Sequence, residues 1–206
     1  MRRRLLLASG LASLALFAGL GEYAKSRPLA VDIDVARWFK AHRTPRELQG
    51  AQVVSALTTP IIVFAAILML WMYLNYLARS WYLRDFIPFA FVLSCAAVAT
   101  VAKPFFDRVR PGAGLSTLYD FEPSYPSSHL LYLAAAVSSL FLASRNRRFW
   151  IFVPVILFSS VIGLCRLVLG VHWFTDLGGA VFLAVGMWII YFVLDDWLIE
   201  RERSRW

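Results

Sequence analysis

Six apolar runs limit what this chain can fold into: roughly Leu5 to Leu20, Pro60 to Leu77, Phe86 to Ala102, Leu130 to Ala143, Phe149 to Leu169 and Leu177 to Leu194. A helix rises about 1.5 Å per residue, so about 20 mostly apolar residues cross the hydrocarbon core of a bilayer. Four runs come near that length. Leu130 to Ala143 is short and needs His129 and its neighbours to complete a span. Lipid offers no partners to open backbone groups, so each run predicts a helix. The expectation is an all-α, polytopic membrane bundle of six transmembrane helices, with both termini cytoplasmic and residues 1–206 forming one domain. Composition agrees: 60% of the 206 residues are hydrophobic, against about half in a soluble domain.

The first run has a second reading. Arg2, Arg3 and Arg4 before an apolar stretch, with small residues at Gly19 and Gly21, also describe a secretory signal peptide. Cleavage there leaves the later loops on the same side.

Orientation follows from Lys and Arg in short loops. With the N-terminus inside, the inner tracts hold Arg2, Arg3, Arg4, Arg79, Arg84, Arg145, Arg147, Arg148, Arg201, Arg203 and Arg205. The outer side has nearly as many, but six of them lie in the long stretch Lys25 to Thr59, where charge counts for less. The remaining four, Lys103, Arg108, Arg110 and Arg166, need another explanation. The formal charge of +8 does not point to nucleic acid, because the arginines sit in short clusters between apolar runs. Cys95 and Cys165 both fall inside apolar segments, so neither a disulfide framework nor a CxxC metal pattern exists. Asp32 to Ala51 interleaves apolar and charged residues and reads as an amphipathic helix on the outer surface, broken or kinked at Pro45, with His42 solvated.

Three clusters at the outer ends of the spans carry candidate chemistry. In Lys103-Pro-Phe-Phe-Asp-Arg-Val-Arg110-Pro111, a helix would place Lys103 and Arg110 on one face, where two cations suit a tetrahedral oxyanion. Lys and Arg also anchor span ends at the interface. In Pro126-Ser127-Ser128-His129, serine is a natural N-cap, the amides at the helix start form an anion site, and His129 can give a proton to a leaving group. In Arg166-Leu-Val-Leu-Gly-Val-His172-Trp-Phe-Thr-Asp176, a helix would put His172 and Asp176 on one face. Asp176 then fixes the tautomer and frees the other ring nitrogen to attack phosphorus. Asp107, Asp120 and Glu122 read as loop solvation rather than as a metal site.

Taken together, K-x6-R-P, P-S-x-H and R-x5-H-x3-D resemble the signature of the type 2 phosphatidic acid phosphatase superfamily, which includes bacterial lipid phosphatases and vanadium haloperoxidases. The signature spans Lys103 to Asp176, and the six-span layout extends the likeness to most of the chain. Two departures stand out. Ser128 occupies a usual glycine position beside the phosphate, and Cys165 replaces the serine that usually precedes the arginine. The resemblance implies that His172 attacks phosphorus, Asp176 orients it and His129 protonates the departing oxygen. It also implies that Lys103, Arg110, Arg166, Ser127 and Ser128 surround the phosphoryl oxygens, with no metal and no cofactor. The implied function is a lipid phosphate or diphosphate phosphatase at the outer face of a bacterial inner membrane. The implied partners are its lipid substrate and the membrane, not nucleic acid. Alternatives are a lipid phosphotransferase with the same site, or a membrane scaffold or transport protein with a vestigial one. The apolar spans disfavour a haloperoxidase, whose members are soluble.

Overall fold

The computed structural model describes residues 1–78, 83–111, 122–143, 150 and 152–203. The described chain is helical: α1 (Arg2–Ala24), α2 (Ala30–His42), α3 (Pro45–Leu57), α4 (Pro60–Ala78), a 3-10 turn (Leu83–Phe86), α5 (Ile87–Phe106), α6 (Ser128–Ala143), α7 (Phe152–Leu169) and α8 (Phe174–Arg203). Arg79, Arg145, Arg147, Arg148 and Arg205 of the inner tracts, and Asp120, lie outside the described residues.

Among the described residues, five helices are long and apolar enough to cross a membrane: α1, α4, α5, α7 and α8. The chain is a polytopic membrane bundle. The helix α6, expected as a sixth span, has 16 residues and falls short by length. It sits at the centre, packed against α4, α5, α7 and α8. Burial on most sides frees it from the need to match a bilayer with its own apolar surface. The other helices show the inside-out pattern of lipid-facing proteins, with Ile61, Val101, Phe105 and Ile156 on open faces.

The longest seam joins α1 to α8. Small residues let the two backbones approach, as bilayer helices require when no hydrophobic force drives them together. A Cβ on Gly10 would lie 3.2 Å from the Gly186 carbonyl oxygen, and Ser13 Oγ donates to the Phe182 carbonyl at 2.8 Å. Tyr125, fully buried, wedges into the upper end of this seam. It stacks on Phe17 at 5.4 Å, meets Phe106 edge-on at 5.1 Å and donates its hydroxyl to the Phe17 carbonyl. Burial pushes its phenol pKa up, which keeps the donor proton in place. Glycine is required opposite the ring, since a Cβ on Gly179 would come within 2.3 Å of it.

The stretch Asp32 to Ala51 forms two helices rather than one. Thr44 caps α3, with its hydroxyl accepting from Glu47 N while the Glu47 carboxylate accepts from Thr44 N. Pro45 takes the first helical position, where its missing N–H is not needed. The break turns α2 and α3 across the end of the bundle, against α7 and α8. His42 stays exposed, stacked on Trp38 at 4.7 Å.

Candidate active site

The three clusters meet at one end of the bundle, built from the last turn of α5, the first turns of α6 and α8, and the loop after α7. Two of the helix-face expectations are wrong in detail. Lys103 and Arg110 do not share a helix: α5 ends at Phe106, and Asp107 adopts φ 42°. Arg110 reaches the site from the loop that follows. The two cations are reunited by the returning chain, since Lys103 Nζ donates to the Pro123 carbonyl at 2.9 Å and Arg110 Nε to the Glu122 carbonyl at 2.8 Å. The Glu122 carboxylate also sits 3.4 Å from Lys103 Nζ, so Glu122 is more than loop solvation.

His172 and Asp176 likewise do not lie on one helix. Gly170, at φ 70°, ends α7, and His172 stands in the loop before α8 begins at Phe174. Asp176 occupies the first turn of α8 and reaches back to accept from Trp173 N at 2.8 Å. A carboxylate there also meets the positive end of the helix dipole. Its Oδ2 is 3.3 Å from His172 Nδ1. On the other side of the ring, Arg110 Nη1 approaches Nε2 at 3.4 Å while donating to the Val171 carbonyl at 2.8 Å. An arginine only donates, so the network assigns the lone pair to Nε2 and the proton to Nδ1. Burial, then the charges of Arg166, Arg110 and Lys103, hold the His172 pKa well below its ordinary 6.5. The ring is a neutral base with its basic nitrogen aimed at a cluster of cations.

Ser127 precedes α6, its carbonyl accepting from Leu131 N at 3.0 Å. It stands at the cap position, yet its Oγ makes no capping bond and is buried without a partner. Ser127 N donates to the Asp176 carbonyl at 3.3 Å, tying α6 to α8. Ser128 opens α6, half-buried, beside it. His129 Nε2 is a second buried atom without a partner. Buried polar atoms are nearly always hydrogen-bonded. Ser127 Oγ and His129 Nε2 are thus open to a partner, and His129 lies close to Arg166, Arg110 and Lys103.

Sequence reading missed Asp32, Ser55, Arg108 and Thr175. Arg166 donates to Ser55 Oγ on α3. Arg108, 2% exposed, donates through Nη1 to Asp176 Oδ1 and Thr175 Oγ1 and through Nη2 to Asp32 Oδ2 at 2.6 Å. Asp32, fully buried, also accepts from Thr175 N at 2.9 Å and Leu29 N at 3.1 Å. The one available signal was Arg108 itself, a cation at a span end with no assigned task. Among the described residues, no three His, Cys, Asp or Glu side chains cluster so as to hold a metal ion.

The arrangement offers a neutral imidazole with an orienting carboxylate, three cations for a phosphoryl group and a second histidine nearby. A family model described as the PAP2 superfamily matches residues 86–200, more than half of the chain and all of the site except the α2 and α3 contributions. No curated protein sequence matches the chain. Two solved structures share its fold. A transmembrane PAP2-type phosphatidylglycerolphosphate phosphatase from Bacillus subtilis aligns with TM-score 0.74 and 18% identity, over 91% of this chain and 96% of that one. LpxE from Aquifex aeolicus aligns with TM-score 0.63 and 18% identity, over 80% of this chain and 96% of that one. With the signature, the bundle and the family model in agreement, the chain belongs to the PAP2 superfamily and is a PAP2-type phosphoric ester hydrolase with a bacterial membrane-bound lipid phosphatase-like fold.

Proposed function

We propose that the protein removes the terminal phosphate of undecaprenyl diphosphate at the outer face of a bacterial inner membrane, through a phosphohistidine and without a metal. The observation that carries this reading is the His172 ring itself. Its Nδ1–H faces Asp176, and its Nε2 faces Arg110 with Lys103 and Arg166 close by. Nε2 attacks the terminal phosphorus, and the bond to the bridging oxygen breaks. The departing lipid monophosphate takes a proton from His129. Water then gives a proton back to His129 as it attacks the phosphorus, the P–N bond breaks and orthophosphate leaves. Lys103, Arg110 and Arg166, with the hydroxyls of Ser127 and Ser128, match charge spread over the phosphoryl oxygens in the transition state.

An apolar groove between α6, α7 and α8 supports a lipid substrate. Its upper end is lined by Leu130, Leu167 and Leu177, each one residue beyond His129, Arg166 and Asp176. The stretch from Pro111 to Pro126 has only 16 residues, too few for a large head-group-binding domain, which favours a small head group. A diphosphate also supplies a good leaving group. The Bacillus subtilis structure favours a second reading, phosphatidylglycerol phosphate as substrate.

The test is phosphate release by purified protein from undecaprenyl diphosphate, phosphatidylglycerol phosphate, phosphatidic acid and p-nitrophenyl phosphate in one detergent. The proposal expects kcat/KM for undecaprenyl diphosphate to exceed that for the water-soluble ester by at least about tenfold, or about 1.4 kcal/mol of transition-state preference. Inertness of that lipid while another turns over contradicts the substrate. Phosphate appearing only on an added acceptor lipid establishes a phosphotransferase instead. Facing is tested separately: cysteine at exposed Asp107 is expected to react with an impermeant thiol reagent from outside, and cysteine at Arg201 is not. The reverse pattern contradicts the orientation.

A further inference from the structure

The nucleophile's carboxylate is gripped from a helix outside the family-matched region. The helix α2 buries one residue fully, and that residue is a charge, Asp32. Its Oδ2 takes Arg108 Nη2 at 2.6 Å, and Arg108 Nη1 takes Asp176 Oδ1. Thr175, next to Asp176, binds the same Asp32 carboxylate through its backbone N–H and its hydroxyl, both at 2.9 Å to Oδ1. Asp32 thus holds the first turn of α8 twice, directly and through Arg108.

We propose that Asp32 is a positioning residue for the reaction, acting through Arg108 to fix the Asp176 carboxylate and to leave the Asp32–Arg108–Asp176 unit with one net negative charge. The inference rests on His172 being the nucleophile. An Arg108–Asp176 pair alone would be neutral. Transfer of a phosphoryl group to Nε2, with Nδ1 still protonated, makes the ring cationic. Around that ring stand Lys103 from α5, Arg110 from the following loop, Arg166 from α7 and His129 from α6, and all of them oppose more positive charge. A second carboxylate on Arg108 restores a negative field behind Nδ1. With Asp32 fully buried and Arg108 2% exposed, little water screens it. Arg108 occupies Asp176 Oδ1, which leaves Oδ2 for His172 Nδ1 and Trp173 N.

The sign of the effect follows from charge. Removing the negative charge of Asp32 makes the surroundings of His172 more positive and its protonated form less favourable. Asp32→Asn is therefore expected to move the acid limb of kcat/KM to lower pH and to lower kcat about tenfold or more, with Asp32→Glu recovering the wild-type limb. Asp32→Ser keeps one acceptor and serves if the amide variant does not fold. Arg108→Lys keeps the cation but loses the two-pronged bridge. It is expected to lower kcat while leaving the acid limb in place. A merely structural staple predicts otherwise: Asp32→Asn or Asp32→Ser would lower the melting temperature while kcat and the acid limb of the folded protein stay unchanged. That result, or an Arg108→Lys variant with wild-type kcat, overturns the proposal. Full turnover by His172→Ala would instead sink the nucleophile assignment itself, so the two failures are distinguishable.

Discussion

Charge is held in opposite ways at the two ends of the bundle. At the end carrying His172, the Asp32–Arg108–Asp176 chain is sealed from solvent, with every carboxylate oxygen in a hydrogen bond. At the other end, Arg3 pairs with Asp196 at 3.2 Å and with Glu200, whose side chain is 64% exposed. Exposed pairs contribute little to stability and are screened by salt. Buried ones cost desolvation that only complete pairing offsets. Apolar residues could have packed the buried end more simply. On the mechanism proposed above, the sealed network holds the carboxylate behind His172, while the open pairs at the other end need no function beyond placing α1 against α8.

The sharpest way to break this contrast is at the site itself. His172→Ala is expected to lower kcat by about 10³-fold or more, because it removes the imidazole that Asp176 orients toward the cation cluster. Asp176→Asn is expected to cost about 10²-fold, since the nucleophile survives but loses its orienting charge. The double variant is expected to match His172→Ala, as residues acting in one unit do not add. Additive losses would separate the two residues.

The next effect is on stability. Arg108→Met leaves two buried carboxylates unpaired and is expected to destabilise the folded protein by about 3–5 kcal/mol, the range for breaking a buried pair, read by denaturant unfolding in detergent. Arg3→Ala is expected to leave the melting temperature almost unchanged. Equal losses at the two ends would erase the distinction drawn above.

The smallest effect is on pH. The depressed His172 pKa keeps the ring neutral below its ordinary 6.5. The acid limb of kcat/KM is therefore expected below pH 6.5, with activity falling only as the pH drops further. A limb above 6.5 would mean that the cations around the ring are outweighed.

The bundle and the meeting of the three clusters were legible because both are written locally, in apolar runs and in short motifs with fixed spacing. The way the clusters meet was not. Helical spacing suggested shared faces for Lys103 with Arg110 and for His172 with Asp176, yet Asp107 and Gly170 end the helices first. Those pairs are joined by loops, whose course depends on carbonyls at Val171, Glu122 and Pro123. Asp32 was hidden for a different reason. Beside Asp34, Arg37 and Lys40 it looks like any charge on an amphipathic helix, and its partners lie in distant clusters. The centrality of α6 was also invisible, because a 14-residue, mostly apolar run reads as a short span whether it faces lipid or four other helices.

The most direct test of the account is to trap the intermediate. Purified protein is mixed with undecaprenyl diphosphate labelled in its terminal phosphate, quenched in alkali within one turnover and mapped by mass spectrometry. The account predicts label on Nε2 of His172, absent from His172→Ala and accumulating when water's attack is slowed in His129→Ala. Label on a different residue, or turnover of the labelled lipid with none on His172 at any time within the turnover, would contradict it.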